Sequence, residues 1–390
     1  MAQDVKTLTQ DNLTNEVGLV LGTRPGTIMF APIIHELRRR GLPHFILHTG
    51  QHYSPNMDAA FFTDLALPQP DHRLTGVAEK RTHGGQTAAM LEGIETILLE
   101  RRPRVVLVGG DANTNLAGAL AARKLQLLVG HVEAGERSYD WRMPEEHNRV
   151  MIDHISDVLF TTAAHGASRL QHEAVMGEIR VSGNPIVDAS VQHLELAKAR
   201  SNALRRLDVV PQQYVLMTSH REENVDDPAS LEGAVRGAAA VAAEQHLPVL
   251  FLAHPRTLKR LADFGLETLA RDMPGLRLEE AVGYLDFLNL LGHARLCLTD
   301  SGGVQQEACI QQVPCVTLRD NTEWTATVDI GANRLAGSDP RRIARAAAEA
   351  LAAPRNWDVP FGDGRAAHHI VDHVERHLDG HACSAEGGTA

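Results

Sequence analysis

Cysteine, long apolar runs and positive charge are all scarce in this chain, and each scarcity excludes a class of protein. Four cysteines occur among the 390 residues, at positions 297, 309, 315 and 383. None of them shares a CxxC spacing, so the sequence indicates neither a zinc site nor a disulfide framework. We predict that Cys297, Cys309 and Cys315 are small core residues and that Cys383 is a thiol in the C-terminal tail.

The formal net charge of −11 argues against general binding to nucleic acid or to an anionic membrane, because both need clustered positive surface. The first sixteen residues are polar and lack the apolar segment of a signal peptide. No later run approaches the length of a membrane span. We therefore expect a cytoplasmic protein in which local groups hold any anionic ligand.

The chain alternates apolar, strand-like runs with helical patterns. Such alternation is typical of βαβ units and predicts an α/β fold with parallel, doubly wound sheets. The series restarts after Val187, and a length of 390 residues suggests two domains. The predicted strands are residues 17–21, 45–47, 105–108, 125–130, 158–162, 215–218, 249–253, 296–299 and 316–318.

These patterns divide the chain into five segments. Both ends are polar and short, so we predict a tail at each, the C-terminal one disordered. The last helix of the chain either stands alone or packs back on the N-terminal domain. The predicted segments are a polar tail at 1–16, an N-terminal domain at 17–190, a C-terminal domain at 191–364, a helix at 365–378 and a tail at 379–390.

Residues 131–149 are the most informative stretch, since they hold five carboxylates and three arginines around glycine and proline. A charged loop is usually a solvated surface segment with chance ion pairs. This one follows the apolar run 125–130, so we expect Glu133 at the carboxyl end of a buried strand. Ligands of open α/β sheets bind at that edge, and we therefore interpret the stretch as part of a site.

Polar groups follow three further strands. Asp111 comes after two glycines at the end of one strand; taken alone, it would more often be the N-cap of the next helix. His220 follows the strand at 215–218, where a lone histidine is usually structural. Ser301, Gly302 and Gly303 lie between a strand and a helix, where backbone N–H groups and the helix dipole favour a phosphate.

Eight ordered motifs resemble those of the non-hydrolysing UDP-N-acetylglucosamine 2-epimerases. The match runs from about residue 17 to about residue 340. A shared fold alone does not produce eight motifs in one family's order. The motifs are GTRP at 22–25, TGQH at 49–52, GD at 110–111, HVEAG at 131–135, PEEHNR at 144–149, GNP at 183–185, HREEN at 220–224 and DSGGVQQE at 300–307.

The resemblance implies a GT-B-like pair of Rossmann-like domains with the nucleotide sugar in the cleft between them. UDP would lie mainly against the C-terminal domain, with residues 301–303 near the diphosphate and Glu307 on the ribose hydroxyls. Arg24 of the N-terminal domain would approach the phosphates. Phe287 is similar to a family aromatic beside the uracil, and a role as an ordinary core aromatic stays equally open.

The family reaction inverts C2 of the sugar by anti elimination of UDP to a 2-acetamidoglucal, then re-addition of UDP and reprotonation on the opposite face. It needs a base, a second acid, and cations or N–H donors on the leaving group, but no metal and no cofactor. By resemblance, Asp111, Glu133 and Glu145 are the catalytic acids and His220 is the catalytic histidine. Arg149 either binds substrate or pairs with these carboxylates. Clustered carboxylates repel each other and so raise at least one pKa, which provides a base and an acid near neutral pH.

Two cations of the family pattern are missing. Met29 stands where the family usually has a lysine, and Trp324 stands where an arginine is common. Three interpretations of these replacements are open. They are sequence drift in an epimerase that is still active, a different substrate such as a UDP-linked 2,3-diacetamido-uronate, and loss of catalysis. A GT-B glycosyltransferase, a hydrolysing epimerase and a non-catalytic nucleotide-sugar binder are the alternatives from other classes.

Gln51 and His52 match a motif that helps bind a second, activating UDP-N-acetylglucosamine in bacterial relatives. Stabilisation of a turn after the second strand is an equally open role. Family members are commonly homodimers, so we expect a homodimer by resemblance.

Overall fold

The computed structural model of the chain describes residues 12–51 and 61–378. The chain divides into two compact units. Unit one comprises Met1–Ala189 and Phe361–Ala390, and unit two comprises Ser190–Pro360. The chain therefore leaves unit one inside a helix and returns to it at Phe361.

Unit one is built on a seven-stranded parallel sheet with the order β3-β2-β1-β4-β5-β6-β7. Its strands are β1 (Thr14–Leu21), β2 (His44–His48), β3 (His72–Arg73), β4 (Pro103–Gly109), β5 (Leu128–Ala134), β6 (Val158–Thr161) and β7 (Glu178–Val181). Its helices are α1 (Arg24–Arg40), α2 (His83–Arg101), α3 (Asn113–Lys124), α4 (Pro144–Ile155), α5 (Ala164–His172), the first part of α6 (Pro185–Arg200) and, after the chain returns, α16 (Ala366–Leu378). The strand order reverses between β1 and β4, as in a Rossmann-like sheet.

Unit two is built on a six-stranded parallel sheet with the order β10-β9-β8-β11-β12-β13. Its strands are β8 (Val215–Thr218), β9 (Val249–Ala253), β10 (Leu276–Glu280), β11 (Leu296–Thr299), β12 (Cys315–Thr317) and β13 (Asn333–Leu335). Its helices are α7 (Ala203–Arg206), α8 (Glu222–Val225), α9 (Pro228–Gln245), α10 (Pro255–Asp263), α11 (Glu267–Asp272), α12 (Tyr284–His293), α13 (Gly302–Ile310), α14 (Thr325–Asp329) and α15 (Pro340–Ala352). Two Rossmann-like units, the make-up of a GT-B-like fold, confirm the predicted fold class.

Helices cover both faces of each sheet, which explains why the central strands are continuous apolar runs. In unit one, Val106 packs toward α2 and α3, whereas its neighbour Leu107 faces α16. In unit two, Leu298 packs toward α9 and α15, and its neighbour Cys297 packs toward α12 and α13. The three cysteines predicted in the core are buried, and Cys383 lies outside the described residues.

Two strands, β1 and β5, begin three residues away from their predicted starts, and the other predicted strands begin within two residues of theirs. β1 begins at Thr14, inside the predicted polar tail, because the Thr14 N–H donates to the Arg102 carbonyl at 2.8 Å, and a ladder hydrogen bond does not require apolar side chains. β5 begins at Leu128 rather than at residue 125, because α3 ends at Lys124 and Gln126 turns the chain with a φ of 59°. Within the described ranges, no helix combines the length and the apolar character needed to cross a membrane.

Candidate active site

Three of the predicted site residues in unit one lie at the carboxyl ends of adjacent strands. Arg24 opens α1 directly after β1, Asp111 follows β4, and Glu133 is the last residue but one of β5. Because β1, β4 and β5 are neighbouring parallel strands, their carboxyl ends meet at one edge of the sheet. The strand order reverses between β1 and β4, so this edge lies at the topological switch point, where α/β sheets bind ligands.

Asp111 is held by a buried arginine and does not cap α3. The N-cap of α3 is Ala112, which makes no side-chain cap bond. Arg149 on α4 donates Nε and Nη2 to Oδ2 of Asp111 at 3.0 and 2.6 Å, and its Nη1 donates to Oε2 of Glu146 at 2.5 Å. Glu145 lies in the first turn of the same helix and is partly exposed. The predicted pairing of Arg149 with a carboxylate is therefore present in the structure.

Glu133 sits in an unusual backbone conformation and an electrostatically unfavourable place for a charge. Its φ is +71°, and the pairing of β5 with β6 shifts register at this point. Oε1 of Glu133 lies 3.6 Å from the point that a Cβ on Gly110 would occupy, and Oε2 accepts a hydrogen bond from Asn184 at 3.3 Å. Burial, followed by the charges of Asp111 and Glu136, raises the pKa of Glu133 well above its ordinary value.

A buried histidine ties the ends of β4 and β5 to α4. Nδ1 of His131 lies 2.7 Å from Oδ1 of Asp153, and its Nε2 lies 3.0 Å from the carbonyl oxygen of Gly110. Arg137 pairs with the other oxygen of Asp153 at 2.7 Å. His131 belongs to the HVEAG motif, from which no role for this histidine was predicted. The network fixes the turn that precedes Asp111 and the strand that carries Glu133.

In unit two, His220 is oriented by an aspartate that sequence reasoning did not single out. His220 follows β8 and Asp300 follows the adjacent strand β11. Oδ1 of Asp300 lies 3.0 Å from Nδ1 of His220, and the Asp300 carboxylate also accepts from the N–H groups of His220 and Arg221. Burial acts to raise the pKa of Asp300, but these donors hold it well below its ordinary value. The His220 side chain is 42% exposed, so the oriented ring faces accessible space.

The turn between β11 and α13 has no room for a side chain at Gly302 but is open at Gly303. Ser301 is the N-cap of α13 and makes no side-chain cap bond. A Cβ on Gly302 would overlap the Glu323 carboxylate and lie 2.9 Å from Nε1 of the buried Trp324. A Cβ on Gly303 would meet no atom within 4 Å, so this position is open. The helix start is therefore open at Gly303, where backbone N–H groups and the helix dipole favour a phosphate.

Glu307 on α13 is a buried carboxyl that accepts a hydrogen bond from a tyrosine on α12. The Tyr284 hydroxyl donates to Oε1 of Glu307 at 3.0 Å. Burial raises the pKa of Glu307 to about 7, although the Tyr284 hydrogen bond acts to lower it.

Phe287, one turn beyond Tyr284 on α12, is half-buried against the unit-two core, so both of its predicted roles stay open.

The replacement Glu307→Gln is expected to make the folding stability less dependent on pH. The folded-state pKa of about 7 exceeds the ordinary 4.5, so the unfolded chain loses this proton first as pH rises. The folded protein thereby loses up to about 3 kcal/mol between these two pH values. Urea unfolding from about pH 4.5 to about pH 8 should show the variant gaining stability relative to the parent as pH rises. Parallel stability curves would contradict the prediction.

Gln51 and Met29 pack against the same sheet edge. Oε1 of Gln51 accepts hydrogen bonds from the N–H and the hydroxyl of Thr114, both at 2.8 Å, at the start of α3. This contact is what a turn-stabilising role of Gln51 requires. His52 lies outside the described residues. Met29 is buried, and its Cε lies 3.6 Å from the point that a Cβ on Gly110 would occupy. Met29 therefore approaches the same glycine as Glu133.

Comparison with known proteins gives a consistent result across most of the chain. A family model described as UDP-N-acetylglucosamine 2-epimerase matches residues 35–375. The UDP-N-acetylglucosamine 2-epimerase of Methanococcus maripaludis is 44% identical over 362 residues, which cover 92% of this chain and 98% of that protein. The UDP-2,3-diacetamido-2,3-dideoxy-D-glucuronate 2-epimerase of Pseudomonas aeruginosa is 36% identical over 360 residues, with coverage of 92% and 98%. The crystal structure of the Methanocaldococcus jannaschii UDP-GlcNAc 2-epimerase in complex with UDP-GlcNAc and UDP has a TM-score of 0.87 at 45% identity, with coverage of 92% of this chain and 99% of that one.

Proposed function

The chain belongs to the UDP-N-acetylglucosamine 2-epimerase family, and we propose that it is an isomerase that inverts C2 of UDP-N-acetylglucosamine to give UDP-N-acetylmannosamine. The observation that carries this proposal is the contrast between two carboxyl groups at one sheet edge. Asp111 is paired with Arg149, whereas the pKa of Glu133 is raised well above its ordinary value. Two carboxyl groups in different environments can act as an acid and a base at the same pH.

The reaction proceeds by elimination and re-addition of UDP. In the first half, a carboxylate removes the C2 proton while the bond between C1 and the diphosphate oxygen breaks, which leaves a 2-acetamidoglucal and UDP. In the second half, a UDP oxygen attacks C1 and a protonated acid delivers a proton to the opposite face of C2. Asp111, Glu133 and Glu145 supply these acids and bases.

Residues of unit two stabilise the departing UDP. The start of α13 at residues 301–303 offers N–H groups to the diphosphate. The family resemblance adds Arg24 as a positive charge for the phosphates. His220, oriented by Asp300, donates a proton or hydrogen bond on the phosphate side. Glu307 accepts from the ribose hydroxyls. Phe287 flanks the base.

UDP-N-acetylglucosamine is favoured over a diacetamido-uronate as the substrate. Two relatives named as UDP-GlcNAc 2-epimerases have sequence identities of 44% and 45% to this chain. The diacetamido-glucuronate epimerase has a sequence identity of 36%. The cytoplasmic location, the homodimer and an activating site at Gln51 and His52 stay predictions.

Proton NMR of UDP-N-acetylglucosamine with the purified protein in deuterated water tests this function. We expect anomeric signals of UDP-N-acetylmannosamine, with deuterium incorporated at C2. Release of free N-acetylmannosamine would instead indicate hydrolysis. Binding of UDP without any C2 exchange would contradict the proposal and favour a sensor, a transferase or another sugar.

Introducing the missing family lysine as Met29→Lys is expected to move the acid limb of the pH–rate profile to lower pH. Met29 Cε and Glu133 Oε1 each lie 3.6 Å from the same point beside Gly110, so an ammonium at residue 29 would approach the carboxylate. A nearby positive charge favours the ionised carboxylate and lowers its pKa. The pH dependence of kcat/KM measures the shift, with Met29→Gln as the uncharged control. An equal shift in both variants would argue against the electrostatic cause.

A further inference from the structure

Two histidines of α16 lie beside a glutamate at the amino end of β7, the end of the sheet opposite to Asp111. Glu178 is the first residue of β7, and His373 and His377 lie one turn apart on α16. The Nε2 atoms of the two histidines are 3.1 Å apart, and Nε2 of His373 lies 3.3 Å from Oε2 of Glu178. The three ligand atoms all lie within 4.8 Å of one another. The proposed reaction uses none of these side chains.

The separations of 3.1 and 3.3 Å fit a tetrahedral metal centre. Zinc bonds to nitrogen and oxygen of about 2.0–2.1 Å, at tetrahedral angles, place neighbouring ligand atoms about 3.3 Å apart. In the absence of a cation, two neutral imidazole nitrogens at 3.1 Å require a single shared proton between them, since two lone pairs would repel. A bound cation replaces that proton and uses both lone pairs.

We propose that Glu178, His373 and His377 form a zinc site in which these three side chains and one water molecule bind the ion. Two imidazoles and one carboxylate are a donor set that suits zinc. Calcium and magnesium prefer oxygen ligands, so they fit this set poorly. Cysteine spacing could not indicate the site, because its ligands are histidines and a glutamate from distant parts of the chain.

The surroundings of the cluster allow metal binding. Burial, and then the neighbouring charges, lower the pKa of His373 to about 4, so this imidazole is neutral at pH 7 as a ligand must be. Arg180 pairs with Oε1 of Glu178, whereas Oε2 faces His373. Arg376 donates to Nδ1 of His373 at 2.9 Å. That nitrogen must carry a proton once Nε2 binds zinc, so it can no longer accept a hydrogen bond. The exposed Arg376 side chain must therefore move away from it.

Zinc at this position would join α16, the helix with which the chain returns to unit one, to the edge strand β7. A ligand that binds only the folded state raises stability with its concentration. Zinc is therefore expected to raise the melting temperature of the metal-free protein, independently of any effect on epimerisation.

The test uses the untagged full-length chain, stripped of metal with EDTA and dialysed. Zinc binding is measured by competition with a chromogenic chelator, and the melting temperature is measured with and without zinc chloride. We expect one zinc per chain. Glu178→Gln and His377→Gln should each weaken binding at least about a hundredfold, the upper end of what loss of an outer-shell partner costs. Cobalt in place of zinc should give the intense visible bands of a tetrahedral centre.

Two control variants separate this site from other histidines. His369→Ala, an exposed histidine on the same helix, should bind zinc like the parent. The double variant His381→Ala/Cys383→Ala should also bind normally. Failure of the parent to bind zinc, or parent-like binding by Glu178→Gln and His377→Gln, would overturn the proposal. Loss of binding only in the His381/Cys383 variant would assign the zinc to the C-terminal tail and overturn it equally.

Discussion

Glu133→Gln and Asp111→Asn are each expected to lower turnover by at least about a hundredfold while leaving UDP affinity nearly unchanged. The amides keep the size of the side chains but can neither accept nor deliver the C2 proton. The UDP contacts proposed for residues 301–303 and Glu307 belong to unit two. The effect should therefore appear in kcat.

The NMR assay measures turnover, and calorimetry measures UDP binding. Glu145→Gln and His220→Asn belong to the same series, with the same expected loss. Glu95→Gln, which changes an exposed carboxylate on α2, is the matched control and should retain the parent rate. Parent-like rates in the Glu133 or Asp111 variants would remove those residues from the acid–base set. An equal loss of UDP affinity would mean that the substitution disturbed binding rather than proton transfer.

Arg149→Met is expected to lower the free energy of unfolding by about 3–5 kcal/mol, because it leaves the buried Glu146 carboxylate and the partly exposed Asp111 carboxylate without their cation. Arg149 is 3% exposed and donates to both Asp111 and Glu146. Burial acts to raise the pKa of Glu146, but the Ser138 N–H and Arg149 together hold it below the ordinary value. Without Arg149, the folded state must either keep an uncompensated charge or take up a proton. Urea unfolding at pH 7 measures the loss.

Arg142→Met is the matched control for this loss. Arg142 also pairs with a carboxylate, Asp140, at 2.6 Å, but its side chain is 87% exposed. Exposed pairs contribute about 0–1 kcal/mol, so this variant should unfold close to the parent. The double variant Arg149→Met/Glu146→Gln should be more stable than Arg149→Met alone, because it also removes the uncompensated charge of the Glu146 carboxylate. Equal losses in the Arg142 and Arg149 variants would argue against the buried charge as the cause.

The strands that the sequence did not predict are the four at the sheet edges, β3 and β7 in unit one and β10 and β13 in unit two. The central strands lie under helices on both faces and are therefore continuous apolar runs, such as Val105–Val108. An edge strand has a neighbour on one side only and is less covered, so polar residues are tolerated. β7 has the sequence EIRV, and its residues are partly or fully exposed. Such a segment has no apolar periodicity from which a strand could be predicted.

The candidate site was predictable to the extent that it depends on strand ends. Asp111, Glu133 and His220 were placed at the ends of apolar runs, and the structure has each of them there or within the last residues of the strand. The sequence predicted that Arg149 could pair with a carboxylate, but neither the choice of Asp111 nor the pairing of His220 with Asp300 was predictable in the same way. The bonds of Arg149 to Asp111 and of Asp300 to His220 join residues 38 and 80 positions apart, and no local pattern links them.

The sequence by itself determined the two parallel sheets, the buried cysteines and the edge at which the acidic residues gather. Those features follow from apolar periodicity and from residue type, which are local properties of the chain. Tertiary structure alone decided that Asp111 pairs with Arg149 instead of capping a helix, that the pKa of Glu133 is raised, and that Glu178 meets His373. Each of these depends on burial and on distances between segments far apart in the chain. The pKa of an ionisable group is set by its burial and by neighbouring charges, and the folded structure determines both.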